Sequence, residues 1–148
     1  MPLSPPAARE LIHTRTIRLE GYRRADGYFD IEAELADTKS HAFTRQDGST
    51  TEPGGRLHGM AMRLTIDADY RIVAIAASMD TTPYQTCPGA VPFFDRLVGL
   101  RIGRGFLREV AERVGGAAGC THLRELLAQM ATVAFQTLGP LKAGAGDT

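Results

Sequence analysis

The chain has 148 residues, of which 43% are hydrophobic and 23% are charged, a composition and size typical of one soluble globular domain. Its 17 basic residues balance 17 acidic ones, so the positive excess of a broad nucleic-acid-binding surface is missing and no nucleic-acid partner is expected. No apolar run reaches the roughly 18 residues that span a bilayer. The N-terminal stretch MPLSPPAARELIH lacks the pattern of a secretory signal. The sequence therefore predicts a cytoplasmic protein with no membrane partner.

The organised part of the chain is predicted to be a single domain over residues 13–138. Residues 1–12 contain three prolines and little periodicity, which indicates a flexible N-terminal arm. Residues 139–148 are rich in glycine and alanine and are predicted to form a flexible C-terminal tail.

The first hairpin is predicted from alternating apolar and polar residues over residues 14–23 and 28–35. Asp26-Gly27 separates the two strands, and this dipeptide suits the positive backbone angles of tight hairpin turns. One face of the second strand carries its apolar side chains: Phe29, Ile31, Ala33 and Leu35.

A second hairpin is predicted at residues 57–67 and 71–79, and the later strand is apolar enough to be central in a sheet. His58 begins the apolar face of the earlier strand, which continues with Met60, Met62, Leu64 and Ile66. The intervening residues 37–56 predict a long polar loop, which is either a mobile surface excursion or a functional segment.

Helical periodicity dominates the rest of the chain. Helices are predicted at residues 90–98, 105–114 and 121–138, and the last is expected to end at Gly139-Pro140. Strands followed by helices predict an α+β domain, in which an antiparallel four-stranded sheet of two hairpins is covered on one face by three helices.

The two cysteines are the first candidates for chemistry. Cys87 and Cys120 each precede a predicted helix, and the positive end of a helix stabilises a thiolate. Both could equally be small buried residues, since cysteine is among the most buried types. In a cytoplasmic chain they are expected as free thiols or metal ligands rather than as a disulfide.

Two histidines complete the candidate set. His122 lies two residues after Cys120, and a Cys-x-His pair can bind one metal ion or share one reacting proton. His58 is a further soft donor, so Cys87, Cys120, His122 and His58 form a candidate two-Cys, two-His metal site. In the alternative interpretation, each histidine forms an ordinary hydrogen bond, and spacing alone does not bring the four residues together.

Two other segments carry notable patterns. Arg23, Arg24 and Asp26 surround the first turn, where they could bind an anion or form ion pairs at a solvated hairpin tip. The segment GLRIGRG at residues 99–105 is rich in glycine, but it lacks the GKS/T ending and preceding strand of a phosphate-binding loop.

Several segments together resemble the bacterial domain-of-unknown-function family number 2889. The matching pieces are IHTRTIRLEGYRRADGYFDIEAELADTK, LHGMAMRLTID, the Cys87-Pro88 step, LVGLRIGRGF and GGAAGCTHLRELL with the A and AFQT that follow it, over roughly residues 12–138. Gly59 departs from the pattern, because an acidic residue is expected after the histidine. The resemblance implies no activity.

The order of elements is also similar, more loosely, to iron–sulfur assembly scaffolds of the NifU/SufE kind. Cys87 and Cys120 match two of the cysteine positions of those scaffolds, but the additional cysteine near the end of an early strand is missing around Asp37. This similarity implies a transition metal or an iron–sulfur species as the cofactor.

Three hypotheses follow. The protein binds a metal ion or sulfur species through Cys87, Cys120 and His122, with His58 as a fourth donor. Alternatively, it is an enzyme for a small organic substrate, with the Cys120 thiolate as nucleophile and His122 as base. In the third, it is a non-catalytic subunit of a homo-oligomer or of a complex with another protein, and its cysteines are buried.

Overall fold

Six strands precede two α-helices in the computed structural model, which describes residues 2–81, 94–114 and 121–146, with the backbone only at residues 58, 80, 81, 121–123, 145 and 146. The elements are β1 (His13–Arg23), β2 (Phe29–Lys39), β3 (Phe43–Thr44), β4 (Thr50–Thr51), β5 (Arg56–Ile66), β6 (Ile72–Thr81), α1 (Phe106–Val114) and α2 (Thr121–Gly146).

The main sheet has four antiparallel strands in the order β1-β2-β5-β6. This arrangement confirms the two predicted hairpins and the mixed α+β class. In the first turn, Gly27 has a φ of 94°, and the Tyr28 amide donates to Asp26 Oδ1 at 3.2 Å. The Asp-Gly pair therefore makes the turn in the way that its chemistry predicts.

The prediction of a central position for the last strand is wrong, because β6 lies at an edge of the four-stranded sheet. Its apolar character has another cause. Ile72 is buried, and Ile75 and Met79 are partly buried where they pack against the core. Val73, by contrast, is 39% exposed.

The long polar loop predicted at residues 37–56 is also corrected. β2 continues to Lys39, and β3 pairs with β4 in a separate two-stranded sheet. A second Asp-Gly turn connects them: the Ser49 amide donates to Asp47 Oδ1 at 2.9 Å, and Gly48 has a φ of 88°. The segment thus contains the same turn signal as the first hairpin.

The core lies between one face of the sheet and the helices. The predicted apolar faces of β2 and β5 are buried there, together with residues of both helices: Ile31, Ala33, Leu35, Met60, Met62, Leu64, Ile66, Val110, Leu126, Leu127, Met130 and Ala134. α2 approaches β1 so closely that a Cβ on Gly21 would lie 1.9 Å from Thr137 Oγ1. Glycine at this position therefore allows the helix to pack on the strand.

Two α-helices, rather than the three predicted, are present in the described residues. Of the predicted helix at residues 90–98, residues 94–97 form one 3₁₀ turn and residues 90–93 lie outside the described chain. α1 confirms the second prediction to within one residue. Neither helix combines the length and apolar character of a membrane span within the described part of the chain.

α2 is longer than predicted, since it continues through Gly139-Pro140 to Gly146. Pro140 removes one backbone hydrogen bond from the helix, but contacts on both sides hold the extension. Leu138 is buried, and Lys142 Nζ donates to the carbonyl of Ala68 at 2.7 Å. Tertiary contacts therefore override the local stop signal.

Candidate functional site at one end of the sheet

Three residues form a single row across the sheet at the end where β1 and β5 begin. Arg15 of β1 is the register partner of Asp37 of β2, and Asp37 is in turn the partner of His58 of β5. The register shifts directly after this row, between Asp37 and Thr38. Such bulges commonly redirect side chains beside functional sites.

Asp37 is the centre of this row. It is 0% exposed and accepts three charge-assisted hydrogen bonds: from His13 Nε2 at 3.0 Å, from Arg15 Nε at 2.8 Å and from Arg15 Nη2 at 2.8 Å. The two bonds from Arg15 join the two oxygens of the carboxylate in a bidentate pair, the strongest geometry available to these groups. A buried carboxylate is tolerated here because it is paired and hydrogen-bonded.

The same contacts determine the protonation state of Asp37. Burial raises the pKa of its carboxyl, but the hydrogen bonds from Arg15 and His13 and the nearby positive charge outweigh burial and lower the pKa from 3.8 to about 2. The hydrogen bond to Asp37 correspondingly raises the pKa of Arg15. Asp37 is therefore a carboxylate at any physiological pH.

Arg15 also connects the sheet to the start of α2. Its Nη1 lies 3.6 Å from Glu125 Oε2, and Glu125 follows the first turn of the helix, which begins at Thr121. His122 is the second residue of that helix. The contacts of Asp37 with Arg15 and of Arg15 with Glu125 thus join β2 and β1 to the start of α2, the helix that contains His122, and β5, which contains His58, is paired with β2.

The end of β6 lies at the same end of the sheet. Thr81, its last residue, is the register partner of Gly59, the residue after His58. Cys87 follows Thr81 by six residues in the sequence, and Cys120 directly precedes Thr121. Both cysteines lie outside the described residues, so the predicted pairing of their thiols with the histidines stays a prediction. Among the described residues, no group of three or more His, Cys, Asp or Glu side chains could hold a metal ion.

Sequence reasoning missed His13, Arg15 and Asp37 as site residues, although the pattern contains them. Residues 13 and 15 continue the alternation of Ile17 and Leu19 on β1, and residue 37 continues that of Ile31, Ala33 and Leu35 on β2. Charged residues at the next inward positions of two paired strands predict a buried ion pair. The boundary of the second strand was predicted too early for that signal to be seen.

A cavity of about 440 Å³ lies near this row, but mainly against the other face of the sheet. Its walls include Thr16, Ala36 and Ala61, each of which alternates with an inward-facing neighbour along its strand. The cavity is therefore separated from Asp37 by the sheet itself.

The tip of the first hairpin matches its solvated interpretation. Arg24 Nη2 lies 2.6 Å from Asp26 Oδ2, and the guanidinium also lies 5.8 Å from the centre of the Tyr28 ring. These exposed contacts stabilise the turn and engage Arg24, one of the two arginines that the sequence offered for anion binding.

Comparison with known proteins adds one assignment. A search of curated proteins and a search of solved structures found no match. The family model for a protein of unknown function, DUF2889, matches residues 13–136, which is most of the chain and extends from the first residue of β1 into α2. The chain therefore belongs to the DUF2889 family of proteins of unknown function.

Proposed function

We propose that this protein binds a metal ion, or a sulfur species such as an iron–sulfur unit, at the end of the sheet that contains the Arg15–Asp37–His58 row. The proposed ligands are Cys87, Cys120, His122 and His58. Two thiolates and two imidazoles make a tetrahedral donor set of the kind that binds zinc, with metal–sulfur distances of about 2.3 Å and metal–nitrogen distances of about 2.0 Å.

The observation that carries the proposal is the connection of β5 to α2 through strand pairing with β2 and the contacts of Arg15 on β1. The register sets His58 opposite Asp37, and Arg15 bonds Asp37 while reaching Glu125, three residues after His122. Two histidines that are 64 residues apart in the sequence therefore belong to backbone segments connected by strand pairing, by the ion pair of Arg15 with the buried Asp37 and by the exposed contact of Arg15 with Glu125.

Chain length allows both thiols to reach this position. Cys120 is bonded directly to the first residue of α2, so its Cα lies about 3.8 Å from that of Thr121. Cys87 is the sixth residue after Thr81, and six residues of extended chain span at most about 20 Å. Since Thr81 pairs beside His58, a common site is within reach.

Asp37 would act as a positioning residue and not as a ligand, because His13 and Arg15 already engage both of its oxygens. Carboxylates behind metal-binding histidines fix ring orientation and raise ligand basicity. A cytoplasmic location would suit the same proposal, because thiols stay reduced there.

Metal analysis tests the proposal. Protein purified without chelator should contain about one zinc or iron ion per chain, and acid-labile sulfide would identify an iron–sulfur unit. Cys120→Ser and His122→Ala should each remove most of the metal. His41→Ala is the matched control, because His41 is exposed and lies between β2 and β3; this variant should keep its metal. Metal-free wild-type protein that stays empty when zinc is supplied would contradict the proposal.

A second candidate function is thiol catalysis at Cys120, with His122 as base. α2 has no acidic residue in its first turn, so nothing in that turn opposes a thiolate at the positive end of the helix. Arg124, also in the first turn, has a buried Nε without a hydrogen-bond partner in the described structure. An anion near the helix start would satisfy this donor.

Thiol titration distinguishes the two candidates. Catalysis requires a Cys120 thiol in metal-free protein whose pKa is lowered well below the usual 8.5 or so, and His122→Ala should shift that pKa. If alkylation of Cys120 shows an ordinary thiol pKa, the catalytic candidate is lost, whereas metal binding is unaffected.

A further inference from the structure

A second concave surface lies at the opposite end of the sheet, where β5 turns into β6. It is a cavity of about 570 Å³, and its walls include Tyr70, Phe135, Arg101, Arg104 and Glu109. This volume falls within the range of small-molecule sites in proteins, about 300–1,000 Å³. The cavity is independent of the site proposed above, because Tyr70 and His58 lie near opposite ends of the β5–β6 hairpin.

Backbone hydrogen bonds hold two walls of the cavity together. Residues 99–102 run beside the end of the β5–β6 turn: the Gly99 amide donates to the Ile72 carbonyl, the Ile72 amide to the Leu100 carbonyl and the Ile102 amide to the Tyr70 carbonyl, each at 2.8 Å. Ile72 and Ile102 are both buried. Residues 99–102 are therefore fixed against the sheet, so Arg101 extends from a preorganised backbone and Arg104 follows two residues later.

Tyr70 occupies a backbone conformation that normally favours glycine. Its φ is 66°, at the position of the turn where a left-handed residue is required. Its ring lies 4.9 Å from that of Phe135, and Lys142 Nζ lies 5.0 Å from the ring centre. Phe135 is 45% exposed. Tyr70, the strained residue, thus contributes one aromatic ring to the wall of the cavity. Phe135 contributes a second ring, and part of that ring is accessible.

Basic side chains outnumber acidic ones in the wall of the cavity. Arg101 and Arg104 are exposed, and no carboxylate of the described residues forms an ion pair with either guanidinium. Arg101 Nε donates to the Asp69 carbonyl at 3.0 Å, which anchors the side chain. Glu109 is the single acid in the described wall, so the arginines leave a positive balance that Lys142 increases.

We propose that this cavity binds a small planar aromatic compound carrying a carboxylate or a phosphate. The ring of the ligand would stack on the exposed part of Phe135, which Tyr70 supports. Its anionic group would receive hydrogen bonds from Arg101 and Arg104, whose planar guanidiniums suit both types of anion. Glu109 would accept a hydrogen bond from an N–H or O–H of the ligand. In this proposal, side chains and not a backbone phosphate loop bind the anionic group of the ligand. GLRIGRG accordingly lacks the phosphate-loop motif.

Titrations with two probes test this proposal and identify the class of ligand. Adenosine monophosphate represents nucleotides and 2-naphthoate represents aromatic carboxylates, while ribose 5-phosphate and acetate supply the anion without the ring. Amide NMR spectra of full-length protein should show saturable shifts at residues 70, 101–104, 109 and 135 with one or both aromatic probes. The non-aromatic anions should bind at least about tenfold more weakly.

Variants test whether the cavity is responsible. Arg101→Met combined with Arg104→Met should weaken binding by about tenfold or more, and Phe135→Ala by about fivefold or more. Arg108→Met and Leu141→Ala are matched controls, since they remove an exposed arginine of α1 and an exposed apolar residue of α2 outside the cavity wall; both should bind within about twofold of wild type. Tyr70→Gly relieves the backbone strain but removes a ring that packs against the core, so its amide spectrum is checked for the native fold first; the folded variant should lose affinity.

Each outcome decides the proposal. Binding of adenosine monophosphate assigns the site to nucleotides, binding of 2-naphthoate assigns it to aromatic acids, and binding of both supports the shared chemistry. The proposal is overturned if neither probe binds below about 5 mM, if the shifts lie elsewhere, or if folded arginine variants bind like wild type. Metal content should be the same in these variants, so this result is independent of the proposed metal site.

Discussion

Replacing Asp37 by asparagine should destabilise the fold by about 2 kcal/mol at neutral pH. The substitution keeps the shape of the side chain and removes the charge that His13 and Arg15 hold. A folded-state pKa of about 2 against an ordinary 3.8 corresponds to roughly that free energy.

The hydrogen bonds of Asp37 lead to a similar value for the free energy of unfolding that Asp37→Asn loses. The carboxylate of Asp37 is buried and accepts three charge-assisted bonds, each of which contributes about 1.5–3 kcal/mol when its loss leaves the partner buried. The side chains of His13 and Arg15 are each 36% exposed, so water recovers part of that energy. The asparagine oxygen also keeps one acceptor. A cost near 2 kcal/mol, and not the sum of three full bonds, is therefore expected.

Urea unfolding at two pH values checks the reasoning. The folded pKa lies below the unfolded one, so Asp37 contributes stability above pH 3.8 that is lost as the pH falls toward 2. The difference between wild type and Asp37→Asn should fall from about 2 kcal/mol at pH 7 to under about 1 kcal/mol near pH 2.5. Glu32→Gln, which removes an exposed ion pair with Arg63, should change the unfolding free energy by less than about 0.5 kcal/mol. A wild-type advantage over Asp37→Asn that stayed equal at both pH values would refute the assignment.

Three further substitutions test the packing of α2. Gly21→Ala should destabilise the fold by about 1–3 kcal/mol in urea unfolding, because its Cβ would overlap Thr137; unchanged stability would mean that α2 does not approach β1 as described. Gly139→Ala, with nothing within 4 Å of its added Cβ, should instead stabilise the protein by about 0.5–1 kcal/mol. Lys142→Met removes the bond to Ala68, so amide exchange in the last turn of α2 should accelerate while the core stays protected; exchange at the wild-type rate would show that Lys142 does not hold the helix end.

Local patterns predicted the sheet well because period-two alternation and Asp-Gly turns act over a few residues. The faces of β2 and β5 follow directly from the positions of Ile31, Leu35, Met60 and Leu64. The order of the strands is a different matter. Whether β6 is central or lies at an edge depends on long-range pairing, and its apolar sequence suits both positions.

The errors have specific physical causes. Gly139-Pro140 is a strong local stop signal, but the buried Leu138 and the contact of Lys142 with Ala68 keep the helix intact. Asp37 is the first residue of the segment that the sequence predicts as a polar loop. Its burial depends on Arg15, which lies 22 residues earlier. A partner at that separation becomes visible only when the register of the two strands is known.

The proposed metal site can be tested most directly by asking whether one metal ion protects both thiols. Metal-free protein is titrated with zinc and then treated with a chromogenic thiol reagent under native conditions. About one zinc ion per chain should protect Cys87 and Cys120 together, in wild type and in His41→Ala but not in His122→Ala. Thiols that react independently of zinc, or that are protected one at a time by separate ions, would contradict the proposed site.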